Sequence, residues 1–170
     1  MFKMKKIYLI AALIMTVSPL KAQEAKLGTT YDDWSTFYYE DKQDGKVCYI
    51  AAAPEKSEGS KEPRGNAFAV VTHRSKAKVF DVFNLNAGFK YFQDSEVALD
   101  ISGQKFTLFT DKSSAWANDG DDSKIITAIA KAGKMTVKSK NVKGAEISDT
   151  FSLKGFSKAY NEISKQCGKN

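Results

Sequence analysis

The chain has 170 residues, of which 42% are hydrophobic and 27% charged, and this length fits one domain with a buried core. Its 26 basic and 20 acidic residues give a net charge of +6, but four of the lysines lie within the first 22 residues. Without that segment the net charge is about +2, so the basic composition gives no indication of nucleic-acid binding.

The first 22 residues have the order of charge, apolar run and helix breaker that is typical of a secretory signal peptide. Lysines precede an apolar run over 7–17, and Pro19 then precedes a small residue, Ala22, at the expected cleavage site. The run is shorter than the roughly 20 apolar residues that span a bilayer, so no transmembrane anchor is expected after cleavage. We therefore predict a signal peptide over 1–22 and a domain over 23–170. The domain is expected in the periplasm, in association with the outer membrane, or secreted.

Alternating apolar and polar residues predict strands in the first half of the mature chain. A short polar lead-in precedes them, and the predicted strands cover Asp33–Tyr39, Lys46–Ala53, Gly65–His73 and Lys78–Leu85. Asp44-Gly45 predicts a hairpin turn between the first two. The charged, proline-flanked segment Pro54–Pro63 predicts a mobile loop.

The second half continues the strand pattern and adds two short helices. Ser95–Ile101 and Lys105–Thr110 predict a hairpin around Ser102-Gly103, and Met135–Ser139 and Ala145–Leu153 predict two further strands. With about eight strands, no regular alternation of strand and helix, and no internal repeat, the sequence predicts a mainly β fold. We expect an antiparallel β-sandwich with two short helices, one of them C-terminal.

Capping residues and apolar stripes define the two helices. Asp121, Asp122 and Ser123 predict the start of the first helix, whose stripe of isoleucines ends before Gly133. Ser157 predicts the cap of the second helix. One face of that helix carries, at helical spacing, Phe156, Tyr160, Ile163 and Cys167.

The chain has two cysteines, Cys48 on a predicted strand and Cys167 on the inward face of the last helix. In an oxidising compartment such a pair in a small exported protein predicts a disulfide bond. Two buried free thiols are the alternative.

No catalytic or metal-binding constellation is apparent, and we expect neither a cofactor nor enzymatic activity. His73 is the sole histidine, and no G-x-S-x-G motif accompanies it. One histidine and a paired set of cysteines do not supply the ligands that zinc requires. The acidic run Asp119–Asp122 lacks the spacing of a calcium-binding loop and is explained as a helix start.

Aromatic residues occur in adjacent sets, and neighbouring residues on a strand point to opposite faces. Some of them are therefore expected on the outer side, where they would form a surface for a protein partner or for sugar stacking. The candidates for this partner surface are Tyr38, Tyr39, Tyr91 and Phe92. The alternative is a strand buried on both sides, and Trp116 is predicted as a large core residue.

Several short motifs, taken in order, resemble the invasion-associated locus B family of small exported proteins from alphaproteobacteria. They span nearly all of the mature chain, and the most specific are Trp116 and the tail that begins at Gly155. They are Asp33-Trp34, Val47–Pro54, Arg64, Ala69–Arg74, Ile101–Gly103, Phe106–Phe109, Ala115–Ala117, Ser152–Ala159 and the terminal Cys167.

The resemblance implies an immunoglobulin-like β-sandwich in the periplasm or on the outer surface, without enzymatic activity. Some members are associated with invasion of host red cells, whereas others come from free-living bacteria. Some relatives carry another cysteine where Tyr38 and Tyr39 stand here, which leaves Cys48 and Cys167 as the sole pairing.

Our leading hypothesis is a non-enzymatic envelope protein that binds a protein or surface partner, with an accessory role in virulence or stress. A periplasmic module for a small ligand or glycan is the alternative, and an envelope hydrolase is the third.

Overall fold

In a computed structural model, which describes residues 24–60 and 62–169, the chain folds into an antiparallel sheet with two helices. The described part of the chain has eleven strands: β1 (Lys26–Tyr31), β2 (Trp34–Asp41), β3 (Gly45–Ala52), β4 (Lys56–Gly59), β5 (Phe68–Arg74), β6 (Val79–Asn86), β7 (Glu96–Ile101), β8 (Gln104–Asp111), β9 (Ser114–Ala117), β10 (Lys134–Lys140) and β11 (Glu146–Ser152). The helices are α1 (Asp122–Lys131) and α2 (Phe156–Gln166). The predicted signal peptide lies outside the described residues.

The strands form one continuous sheet in the order β1-β2-β3-β5-β6-β9-β8-β7-β10-β11-β4, and all neighbours are antiparallel. The short β9 joins the two halves because it pairs with β6 on one side and with β8 on the other. Side chains from both halves contribute to a single hydrophobic cluster. The sheet therefore curves around one core, and the mainly β antiparallel fold predicted from the sequence is confirmed.

Both helices pack against the inner, concave side of this sheet. Helix α2 contacts β1, β2, β3 and β5, whereas α1 contacts β6 and β7. Phe156 and Ile163 of α2 and Ile125 and Ile129 of α1 are buried in the core. Within the described residues, neither helix has the length and apolar character that crossing a membrane requires.

The predicted strands and both helices are present, but three short strands differ from the sequence-based expectation. Strand β1 occupies the polar lead-in, and β4 lies within the predicted loop Pro54–Pro63. Both are edge strands whose side chains are almost all exposed, so they lack the apolar alternation that reveals a strand. The third is β9, whose buried residue is Ala115, while Trp116 is half-buried on the opposite face and lies outside the core cluster.

The helix caps also differ in detail. Helix α2 begins after Gly155, which adopts a φ of +84°, and Ser157 lies inside the helix with its hydroxyl 3.5 Å from the Ala130 carbonyl oxygen. The prediction that Ser157 caps this helix is therefore wrong. Helix α1 does begin at Asp122, but the carboxylate of Asp122 accepts the backbone N–H of Phe83 at 2.7 Å. Phe83 lies on β6 next to Asn84, where the pairing with β9 begins, and its N–H is bound by the Asp122 carboxylate.

Candidate partner-binding surface

The two cysteines form the predicted disulfide bond, which ties the end of α2 to the middle of β3. Cys48 and Cys167 are 119 residues apart in sequence, and their Cα atoms lie 6.1 Å from each other. Both are buried, and Cys167 follows the α2 face that carries Phe156, Tyr160 and Ile163, as expected. The bond therefore encloses most of the described residues in one covalent loop.

Two of the motifs quoted above pack directly against each other. The Trp34 ring meets Phe156 edge to face, with 4.9 Å between ring centroids, and its indole N–H donates to the Ser152 carbonyl at 3.2 Å. Gly155 allows the start of α2 to approach the end of β1, because a Cβ atom there would overlap the Tyr31 carbonyl oxygen. These motif residues therefore join the start of the sheet to α2, which is a structural role.

His73 is completely buried and lies beside the disulfide, directly across from Cys48 in the pairing of β3 with β5. Its Nδ1 accepts the backbone N–H of Asp81 at 3.1 Å, and its Nε2 lies 3.1 Å from Ser164 Oγ. Because Nδ1 is an acceptor, the neutral ring carries its proton on Nε2. A serine nucleophile needs an imidazole nitrogen that can take its proton. His73 is therefore not arranged as a general base for Ser164.

The acidic run before α1 is used in the fold. Asp121 accepts the Lys124 ammonium at 2.8 Å, and Asp122 binds the backbone of β6 as described. Burial raises the pKa of Asp122, and the Phe83 N–H partly offsets this effect. Among residues 24–60 and 62–169, no three His, Cys, Asp or Glu side chains are grouped in a way that would hold a metal ion.

An ion pair between the partly buried Arg64 and the buried Asp149 fastens the segment before β5 to β11. The Arg64 guanidinium makes two bonds to the Asp149 carboxylate, at 3.0 and 2.9 Å, and the Ser57 hydroxyl donates to the same carboxylate at 2.5 Å. Arg64 also lies 5.3 Å from the centroid of the Phe89 ring. Burial raises the pKa of the nearby Tyr91, and the negative charge of Asp149 raises it further. This cluster is internally satisfied and has the character of a structural clamp.

The outer side of β1, β2, β3 and β5 carries a set of half-exposed and exposed apolar side chains, which we call the aromatic face. Cross-strand pairing aligns Leu27 with Phe37 and Phe37 with Tyr49. The face consists of Leu27, Phe37, Tyr39, Tyr49 and Phe68, together with Val70, which points to the same side but is buried. The rings of Phe37 and Tyr49 stack at 4.9 Å and 11°, and Tyr39 meets Tyr49 edge to face at 6.4 Å.

The aromatic face carries little charge, whereas the outward positions of the opposite half of the sheet include many charged residues beside the exposed Phe109. Along β2, β3 and β5, the outward positions between the strand ends hold apolar, hydroxyl or small side chains, and charge appears at Asp41 and Arg74. On β7, β8, β10 and β11 the outward positions are rich in lysine and acidic residues. One half of the outer surface therefore differs sharply from the other.

A shallow depression of about 550 Å³ lies on the aromatic face. Phe37, Tyr49 and Phe68 supply its rings, while Ser35 and Asn66 supply a hydroxyl and an amide. Asp33 adds a carboxylate at the same depression. Aromatic surfaces with a few polar groups at the edge are common in sites for small molecules.

The four predicted partner-surface residues occupy different places. Tyr39 lies on the aromatic face, and Phe92 is 46% exposed in the loop before β7. Tyr38 points to the inner side and packs against the core, where burial raises its pKa. Tyr91 is 6% exposed and belongs to the core cluster. The structure thus places two of the four on the surface, and these two lie in separate parts of the fold.

Three residues of the aromatic face, Tyr49, Phe68 and Leu27, were not predicted as surface residues from the sequence. Tyr49 belongs to a strand that was recognised, but its proximity to Phe37 depends on the register of β2 with β3. The predicted Asp44-Gly45 turn would not have given that register, because the hairpin is centred on Gln43, with Asp41 opposite Gly45. Leu27 lies on an unpredicted edge strand, so no comparable signal existed for it.

The comparisons with known proteins agree with the packing of these motifs. The sequence model for "Invasion associated locus B (IalB) protein" matches residues 34–164, which runs from the buried Trp34 to the last turn of α2. No curated protein and no solved structure matches the chain. Since the matched region covers well over half of the sequence, the chain belongs to the invasion associated locus B family.

Proposed function

We propose that this chain is an exported, non-enzymatic envelope protein that binds a protein partner through the aromatic face. Export is supported by the leader pattern in residues 1–22 and by the buried disulfide, which is typical of oxidising compartments. Family membership supports an envelope location. An accessory role in virulence or stress belongs to the same proposal.

The observation that carries partner binding is the concentration of apolar side chains on one uncharged part of the outer surface. Leu27 is 63% exposed, and rings of β2, β3 and β5 continue the surface beside it. Contiguous apolar patches on soluble proteins mark interaction sites, because exposed apolar area costs free energy until it is covered. Aromatic side chains are also the residues that most often dominate binding energy at interfaces.

The depression on the same face favours a second candidate, the binding of a glycan or another small ligand. Rings that stack on the apolar face of a sugar lie there beside a hydroxyl, an amide and a carboxylate that would bind its hydroxyl groups. The two candidates share the surface but differ in the partner. Soluble oligosaccharides would compete with a glycan and leave a protein complex intact.

The absence of catalysis is part of the proposal. The sole histidine is buried and has the wrong tautomer for a serine base, which counts against a hydrolase built on His73. The described residues offer no metal cluster that would replace it.

Matched surface variants test the proposal. Leu27→Ser removes an exposed apolar side chain from the aromatic face, and Val142→Ser removes one of equal exposure, 61% against 63%, from the hairpin after β10. Tyr39→Ser extends the test to a ring of the face. Complexes are captured by chemical crosslinking in the cell envelope and quantified for each variant.

We expect Leu27→Ser and Tyr39→Ser to lower the amount of the crosslinked complex several-fold, whereas Val142→Ser retains the wild-type amount. Equal yields from all variants, with folding verified by circular dichroism, would contradict binding through this face. Loss of the complex on addition of free oligosaccharide would favour the glycan candidate.

A further inference from the structure

The C-terminal half of α2 is held to the sheet by a polar cluster that partner binding does not use. Asp81 lies at an irregularity in the pairing of β5 with β6 and has a φ of +64°. Its carboxylate accepts the Tyr160 hydroxyl at 2.6 Å and the Lys169 ammonium, which also contacts the Tyr160 hydroxyl. His73 adds the bond to Ser164. Apart from the contact between Lys169 and Tyr160, each of these contacts joins α2 or the tail after it to β5 or β6.

The cluster requires a neutral His73. Its Nδ1 must remain without a proton to accept the Asp81 N–H, and the ring is completely buried. Burial lowers the pKa of His73, although the Asp81 carboxylate opposes this effect. A proton on Nδ1 would face the Asp81 N–H. Two hydrogen-bond donors would then point at each other, and the hydrogen bond between them would be lost.

The charged groups around the ring do not compensate for a second positive charge. Asp81 Oδ1 is 4.0 Å from His73 Nε2, but that carboxylate already binds Tyr160 and Lys169. The Lys169 ammonium lies on the same side and repels an imidazolium. From β3, the neighbouring side chain is Cys48, which is uncharged in the disulfide.

The disulfide lies under the same part of α2. The Cys167 sulfur is 3.7 Å from the His73 carbonyl oxygen, and both cysteines are buried. Ser164 precedes Cys167 by three residues, so the contact that holds Ser164 against His73 also fixes the backbone next to the buried disulfide.

We propose that His73 is an acid-sensitive latch: protonation of its imidazole releases the last turn of α2 and the tail, and this opening uncovers the Cys48–Cys167 disulfide. In the open state the ring is solvated and takes up a proton with an ordinary pKa of 6.5. Because only the open state takes up this proton, the ratio of open to closed molecules rises as the pH falls below that value. Between pH 7.5 and pH 5 this ratio rises by up to about 30-fold.

Two measurements on the untagged, oxidised mature protein test the latch. Hydrogen exchange of amides 164–169, corrected for the intrinsic pH effect, reports opening, with β10 amides as the internal reference. The initial rate of disulfide reduction by a phosphine, divided by its rate with a small exposed disulfide at the same pH, reports access to the sulfurs. His73→Asn is the matched variant, because its side-chain oxygen can accept the Asp81 N–H near the position of Nδ1 but does not titrate.

For the wild type, we expect the exchange rate of amides 164–169 and the rate of disulfide reduction to be 5- to 30-fold higher at pH 5 than at pH 7.5, while the β10 amides stay protected. In His73→Asn this pH dependence should disappear. The same pH dependence in both proteins would overturn the proposal. Should the variant fail to fold, the single imidazole signal of the wild type in NMR decides, because an apparent pKa at or above 6.5 contradicts the latch.

Discussion

The disulfide provides the most quantitative prediction for stability. It closes a loop between residues 119 apart, and such a constraint lowers the entropy of the unfolded chain. The chain-entropy relation gives about 5 kcal/mol for a loop of this length, and measured bridges often deliver less. We therefore expect reduction to lower the free energy of unfolding by about 3–5 kcal/mol, about a fifth or more of the total for a typical domain.

Urea unfolding of the oxidised and the fully reduced wild type isolates this effect, because both forms keep the sulfur atoms in the core. The double variant Cys48→Ala/Cys167→Ala serves as a control for the reductant. The reduced protein should also show a steeper dependence on urea, since its unfolded state exposes more surface. A loss below about 1 kcal/mol would refute the view that the bond fastens α2 to the sheet.

Three further predictions concern the clamp residues and the leader. Gly155→Ala should lower the free energy of unfolding in urea by at least about 3 kcal/mol, because the added Cβ atom overlaps a carbonyl oxygen of β1. The control Gly103→Ala has a similar φ but open space around it, and it should cost about 1–2 kcal/mol. Equal costs for the two variants would contradict the contact. Arg64→Met should cost about 3–5 kcal/mol by leaving the buried Asp149 unpaired, and the double variant with Asp149→Leu should lose less. Mass spectrometry of the protein from the envelope fraction should show cleavage near residue 22 and two hydrogens fewer than the reduced chain, and a retained leader would contradict export.

The parts of the fold that were predictable are those in which one strand face is buried. β7 and β8 alternate cleanly because Val97, Leu99 and Ile101 enter the core while their neighbours remain outside. Edge strands β1 and β4 bury almost nothing, so their residues show no such alternation and appear as polar connections. Trp116 was expected in the core on account of its size. Its strand, however, buries Ala115, which places the ring on the other face.

The candidate surface was less predictable than the core. Adjacent aromatic residues indicated that some rings must face outward, but not which ones. Tyr39 and Tyr38 are adjacent and have opposite environments, and the choice depends on which face of β2 receives α2. The Phe37–Tyr49 pair depends on strand register, which the position of the turn sets, and the turn is centred on Gln43 rather than on the expected Asp44-Gly45.

Site-specific photocrosslinking in living cells tests binding through the aromatic face most directly. A photoreactive phenylalanine analogue is placed at residue 39 on this face, at residue 92 in the loop before β7, and at residue 142 in the hairpin after β10. We predict a discrete adduct of higher mass from residue 39 and none above background from residue 142. Adducts that form from residue 92 but not from residue 39 would contradict the account and transfer the binding surface to the loop.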